Sequence, residues 1–272
     1  MAKYKKKRAR ELQHDRFRDT ANTVFERLGD RLEGKGKAIL YGIIGVVLLG
    51  VLVGVWVKWS SRKADEARRA LGRGIAIAST PLATGAAAAS DPKAPKFSSE
   101  QERAQKAIEE FQKVAAKYDD PYRTEARYFI ATNLLYLDRD RGLRELAELA
   151  KSNFPEVATL SKFALAQEKE ADGKYDEAAQ LYVELAAQNS TVITPDTANL
   201  RLAGVYEKQG KKKEAADLLF NIVETARKAK DKDGAPLPQS AAAGAAAEKL
   251  QKLDPDRYAM LTPAFPGGEL PF

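Results

Sequence analysis

FALAQEKEADGKYDEAAQLYVEL, residues 163–185, reads as two helices joined at Gly173-Lys174. Alanine, leucine, glutamate, lysine and glutamine dominate it, all strong helix formers, and its one glycine falls between the helices. The first helix carries the pair Leu165-Ala166. The second carries Ala178, with Tyr182 four residues on and Leu185 seven on. Small residues let two antiparallel helices approach closely, and large ones three to four positions away fill the space beside them.

The same pattern recurs outward in both directions. Ala107, Gly142, Ala178 and Ala215 stand 35, 36 and 37 residues apart. Phe111, Leu146, Tyr182 and Leu219 follow at four, and Val114, Leu149, Leu185 and Ile222 at seven. Ile130-Ala131, Leu165-Ala166 and Leu202-Ala203 mark the preceding helices. A two-helix unit with a period near 34 is the signature of the tetratricopeptide repeat. The run Leu165-Ala166, Gly173-Lys174-Tyr175-Asp176-Glu177-Ala178, Tyr182 resembles that motif, and Leu202-Ala203, Tyr206, Gly210 and Ala215 resemble it again. The expected fold is therefore all-α, a tetratricopeptide-like solenoid of about four helix pairs plus a capping helix, over residues 58–253.

The first unit is split. Leu71-Gly72 takes the place of its first-helix pair, and Ala107 begins the core of its second helix. Between them, residues 80–99 (TPLATGAAAASDPKAPKFSS) are poor in bulky apolar side chains and read as a flexible insertion. At the far end Ser240–Leu253, with Lys249, Gln251 and Lys252 on its outer side, fits the polar-faced cap that repeat arrays need. Residues 254–272, rich in proline and glycine, read as an extended tail.

Before the repeats, Ala38–Val57 (AILYGIIGVVLLGVLVGVWV) contains no charge. Twenty helical residues span roughly 30 Å, the thickness of a bilayer's hydrocarbon core. Tyr41, Trp56 and Trp59 stand near its ends, where amphipathic rings favour the headgroup boundary. The expectation is a single transmembrane helix, an uncleaved signal anchor, continuing through Trp59 into the first repeat helix to about Ile77. Gly42, Gly50 and Gly54 share a face on which another membrane helix could pack backbone to backbone.

The formal charge of +7 divides unevenly. Residues 1–37 hold 12 Lys/Arg and 6 Asp/Glu; residues 58–272 hold 33 and 32. The tail, with six cations in MAKYKKKRAR and an amphipathic pattern from Asp15 to Leu32, suits anionic lipid at the cytoplasmic face. The near-neutral large domain gives no sign of a nucleic-acid partner. Lys/Arg counts in the 20 residues on either side of the span are nearly equal, 5 and 6, so they do not orient it. The cation-rich tail and the tendency of long downstream domains to translocate favour a cytoplasmic N-terminus and an extracytoplasmic repeat domain.

No catalytic set is expected. The chain has no cysteine, and its one histidine, His14, lies among charged residues in the tail. Gly34-Lys35-Gly36-Lys37 lacks the strand and the Gly-Lys-Ser/Thr ending of a phosphate loop. Glu168, Glu170, Asp176 and Glu177 read as solvated faces and intrahelical ion pairs. No cofactor or metal site is expected either. What remains is binding along the concave surface, formed mainly by the first helix of each unit. Counting from the small positions places Tyr128, Thr132, Tyr136, Phe163, Gln167, Leu200 and Glu207 on or beside that groove, with Phe163 and Leu200 equally suited to the core. Such a groove suits an extended peptide or a partner helix.

A basic tail, one membrane helix, Trp56-Val57-Lys58-Trp59 and a helix running into tetratricopeptide-like repeats together resemble the YfgM-like family of bacterial inner-membrane proteins. The resemblance implies a periplasmic repeat domain and an ancillary role at the SecYEG translocon. It implies as partners translocon subunits, a membrane-anchored periplasmic chaperone or emerging secreted chains, and it carries no catalytic residues. The polybasic start, the split first unit and the proline-rich end depart from the family's pattern. A structural adaptor in envelope assembly or cell division fits the same features. So does a cytoplasm-facing docking receptor, should the orientation be reversed.

Overall fold

The computed structural model describes residues 36–82 and 97–261; within 36–57, side chains are described for 48–55 only. The basic tail and its amphipathic segment at 15–32 lie outside the described residues, as do most of the 80–99 insertion and the end of the C-terminal tail. Among the described residues there are ten helices and no strand. They are α1 (Gly36–Ala78), α2 (Glu100–Lys117), α3 (Tyr122–Leu134), α4 (Arg139–Leu149), α5 (Pro155–Ala171), α6 (Tyr175–Ala186), α7 (Pro195–Lys208), α8 (Lys212–Lys228), α9 (Ala241–Leu253) and α10 (Pro255–Ala259). Contacts divide the chain into two units, Met1–Ala64 and Asp65–Phe272, and α1 has residues in both.

Local chemistry sets the helix boundaries. Ser99, Asp138, Thr194 and Ser240 each accept a hydrogen bond from the backbone N–H three residues on, capping α2, α4, α7 and α9. Pro155 and Pro195 open α5 and α7, where a missing N–H costs nothing. Gly173 and Gly210 hold φ of 72° and 76°, the left-handed region that glycine enters without penalty. At both, the next residue's N–H reaches five residues back, Lys174 to Lys169 and Lys211 to Tyr206, which closes the helix in the same way. The 37-residue period is thus repeated in the backbone of the two turns. The α3–α4 joint has no such glycine. Asp138 caps α4 three residues after the α3 C-cap, which accounts for the Ala131–Gly142 spacing being one residue shorter.

The helices pair in sequence, α2 on α3, α4 on α5, α6 on α7 and so on, with α3 also touching α5 and α7 touching α9. The apolar core follows as four successive clusters rather than one centre, as expected for units that contact only their neighbours. All twelve positions of the small–large–large series are buried. Phe111 stacks on Phe129 with ring centroids 4.9 Å apart. At Gly142 two helix backbones come close: a Cβ there would lie 2.9 Å from the Ala131 carbonyl oxygen.

The first unit departs from expectation in two ways. Gly72 is exposed, and a Cβ added there would have nothing within 4 Å. The close approach is made instead by Gly74, whose Cβ would meet the Phe111 ring at 2.5 Å. Gly74 lies three and four residues from Leu71 and Ala70, on the same buried stripe, whereas Gly72 is turned away by the helical period. The C-terminal edge of the insertion is built into the fold: Phe97 is buried, bridges to Leu82 and precedes the Ser99 cap. The tail also departs from expectation. Its first residues form α10, capped by Asp254, and Leu261 is buried with Ala246 and Leu250 in the last core cluster.

Among the described residues no helix is long and apolar enough to cross a membrane. Of the expected span Ala38–Val57, side chains at 38–47, 56 and 57 lie outside the described residues, and all eight at 48–55 are exposed. Gly50 and Gly54 have no atom within 4 Å of a Cβ position, and Gly42 is among the undescribed side chains.

Candidate partner-binding groove

The expected groove residues fall on α3, α5 and α7, the first helices of the second, third and fourth units, except Tyr136, which stands in the turn just after α3. Tyr128, Phe163 and Leu200 occupy equivalent positions, 35 and 37 residues apart, and all three are half-buried. Each packs on the core of its own unit or the next. Tyr128 joins the Ala131–Leu146 cluster, Phe163 lies edge-on to Tyr182 at 5.9 Å, and Leu200 packs beside Ala203 and Leu219. They pack toward the core more than they offer free side chains. Burial pushes the Tyr128 phenol above its usual range.

Thr132 is half-buried and donates to the Phe129 carbonyl of its own helix at 3.0 Å, and Gln167 is half-buried on α5. Tyr136 is the most available of the set, 47% exposed beside the exposed Leu137 at the C-terminal end of α3. Glu207 is taken up within the fold: Lys249 of the cap donates to it at 2.8 Å.

That pair has a counterpart one unit earlier that the sequence reading missed. The Glu170 side chain, only 14% exposed, accepts from Lys208 of the next unit at 2.8 Å and from the Tyr182 hydroxyl at 3.0 Å. The carboxylate draws the Lys208 ammonium pKa upward. Burial, with Glu170 second, drives the Tyr182 phenol far above the ordinary range. The related carboxylates also pair across helices, not within them. Arg139 at the start of α4 reaches Glu168 and Asp172 of α5, Gln209 donates to Asp176, and Lys169 pairs with Glu177. The expectation of intrahelical pairs fails because these side chains meet between helices, across a unit joint for Arg139 and Gln209 and between α5 and α6 of one unit for Lys169 and Glu177, at separations no single-helix pattern reveals. The signal available in sequence was the 37-residue spacing of Glu170 and Glu207.

Two carboxylates, on α3 and α5, lie close enough to disfavour each other's charge. Glu125 on α3 is pushed up by burial and then by the nearby Glu156 of α5, against a lowering pull from Arg68. A shallow depression lined by Pro155, Glu156, Thr159 and Gln188 lies beside the N-terminal end of α5 and contains none of the expected groove residues. The inner surface is thus of two kinds. The α3 end offers aromatic and aliphatic surface, while on α5 and α7 the charges neutralise one another across the joints. This arrangement can hold an apolar or amphipathic segment.

No protein-family model and no curated protein matches the chain. Solved structures similar to it include a Podosopora anserina kinesin light chain with nearly identical TPR-like repeats, 19% identical, covering 56% of this chain and 77% of that one, with a TM-score of 0.42. A single-substitution variant of the same protein gives 18%, the same coverage and a TM-score of 0.43. The helix pairing, the buried small–large series and the twin glycine turns independently give this chain a tetratricopeptide-like repeat fold.

Proposed function

We propose that the chain is a membrane-anchored, non-catalytic scaffold whose repeat domain grips a segment of a partner protein. The observation that carries the anchoring is α1. One helix contains the exposed run Leu48, Leu49, Val51, Leu52, Val53 and Val55, and, further on, the residues Ala67, Ala70 and Leu71 buried in the first repeat core. Six large apolar side chains exposed together on a helix, with Gly50 and Gly54 on the remaining side, are costly in water and suited to hydrocarbon. The uncharged sequence before them extends the run to the 20 residues a span requires.

The layout's resemblance to YfgM-like proteins supports a finer reading: an ancillary subunit of the Sec translocon or its periplasmic chaperone network, in a bacterial inner membrane. Affinity purification of the full chain from mild detergent tests it. Recovery of translocon or periplasmic chaperone subunits is expected, and recovery of neither refutes the finer reading while leaving the scaffold. The near-equal cation counts flanking the span leave open a second reading, with the repeats in the cytoplasm. A reporter fused after Phe272, active only on one side of the membrane, decides between them.

A further inference from the structure

We propose that Lys58, Trp59, Arg62 and Lys63 form a headgroup site for anionic phospholipid at the end of the apolar run, on the side opposite the basic tail. This rests on the anchoring proposed above. The residues lie on consecutive turns of α1, about 1.5 to 9 Å along the axis beyond Val57 at 1.5 Å per residue. The headgroup layer adds roughly 5–7 Å to each side of the hydrocarbon core, so Lys58 and Trp59 fall within it and Arg62 and Lys63 at its outer edge. All four side chains are exposed, Trp59 by 55%.

The electrostatics commit the site to an anion. Lys58, Arg62 and Lys63 have no carboxylate partner among the described residues. The next acid along the chain, Asp65, is taken by Arg68 at 3.5 Å. Three cations within six residues, uncompensated, attract one another's counterions wherever they are. Beside a bilayer the counterion present at highest concentration is a lipid phosphate. The Lys63 ammonium sits 3.7 Å from the centre of the Trp59 ring. This cation–π contact holds the lysine beside an indole whose own preference is the boundary between hydrocarbon and water. Lys58 and Arg62 are four apart and share a face, so one phosphate can meet both. An acidic protein segment would satisfy the charges equally well, but it would have to displace lipid from a collar contiguous with exposed apolar side chains. Lipid needs no such displacement.

The test uses the full chain in bilayer nanodiscs with Trp56→Phe, which leaves Trp59 as the one indole. Trp59 fluorescence is quenched by phosphatidylcholine brominated high on the acyl chain, or by phosphatidylglycerol brominated at the same place, each at equal mole fraction in unlabelled phosphatidylcholine. Quenching by both is expected, with phosphatidylglycerol enriched about five-fold, the weight of one cation at the surface. The preference should vanish in Lys58→Gln/Arg62→Gln/Lys63→Gln and persist in Lys5→Gln/Lys6→Gln/Lys7→Gln. Equal quenching by the two lipids overturns the headgroup site and leaves the anchor standing. No quenching by either overturns the anchor and the site together. A preference lost with the tail variant and kept in the collar variant assigns the lipid to the tail and overturns the site.

Discussion

Gly142 and Gly204 carry the same substitution into opposite surroundings. Both are helical, and replacing glycine by alanine in a helix gains about 0.8–1.0 kcal/mol of propensity. At Gly204 on α7 nothing lies within 4 Å of the new methyl, so Gly204→Ala should be stabilising by roughly that amount. At Gly142 the methyl would lie 2.9 Å from the Ala131 carbonyl oxygen, 3.0 Å from the Leu135 amide nitrogen and 3.0 Å from Leu135 Cδ2. Two of those three atoms are backbone, so the α3–α4 pair has to separate. Overpacking of that kind costs about 1–3 kcal/mol. Gly142→Ala should therefore run from neutral to about 2 kcal/mol destabilising, leaving a gap of about 1–3 kcal/mol between the two variants. Urea unfolding of the full chain in mild detergent, followed by far-ultraviolet circular dichroism, measures both midpoints, with equal slopes showing that the unfolded state is unchanged. If Gly142→Ala gains as much as Gly204→Ala, the close helix approach inferred at the small position of the second unit is wrong.

Glu125→Gln should stabilise the chain at neutral pH. The folded-state pKa is raised, so the carboxyl's penalty grows as pH rises through that value; the gain from glutamine should disappear below the unfolded value of about 4.3. Thermal melts at pH 7 and pH 3.5 check it. Tyr182→Phe removes a hydrogen bond to a charged acceptor and should cost about 1.5–3 kcal/mol at pH 7. Because the folded phenol stays protonated above the unfolded value of about 10, wild-type stability falls as pH climbs past 10, and the variant's fall should be shallower in the same titration. A double-mutant cycle on Glu207→Gln and Lys249→Gln should return a coupling of about 1 kcal/mol or less, since both side chains reach solvent. Tyr136→Ala should weaken retention of the partner in affinity purification while leaving the unfolding free energy from urea titration within about 0.5 kcal/mol of wild type.

The repeat was legible because its signal is local. Ala178, Tyr182 and Leu185 sit on one stripe of one helix, and the stripe recurs with a period that survives a residue of drift, so the core face of every second helix could be counted out in advance. The glycine turns were equally local, a backbone requirement written at Gly173 and again at Gly210. Legibility failed where a position depends on a neighbour far along the chain. Gly72 and Gly74 are equally small, and only the rotation of α1 against Phe111 selects between them. Phe97 reads as part of a spacer until its burial is known, and Leu261 reads as part of a tail until the last unit is seen to need a lid. The carboxylates of α5, and Asp176 of α6, looked like solvated faces because Lys208, Arg139 and Gln209 are brought to them by stacking, at separations of 29 to 38 residues. For the expected groove, counting placed Tyr128, Phe163 and Leu200 at equivalent positions of α3, α5 and α7. It could not tell how far each sinks toward the core, which the packing of the following unit decides.

The end of the array has a consequence for assembly. A last repeat without a lid presents the same apolar face that its predecessors use to receive the next unit, and a second copy could dock there head to tail. Such a contact, if its rotation does not close a ring, propagates into a filament. Here α9 covers that face, Leu261 is sealed into it, and α10 is held against α8 by the Arg257–Asp217 pair, by Arg257 over Phe220 and by Tyr258 against Arg227. Each of these contacts occupies surface that a head-to-tail neighbour would need, so a copy docking on α8 has first to displace α9 and α10.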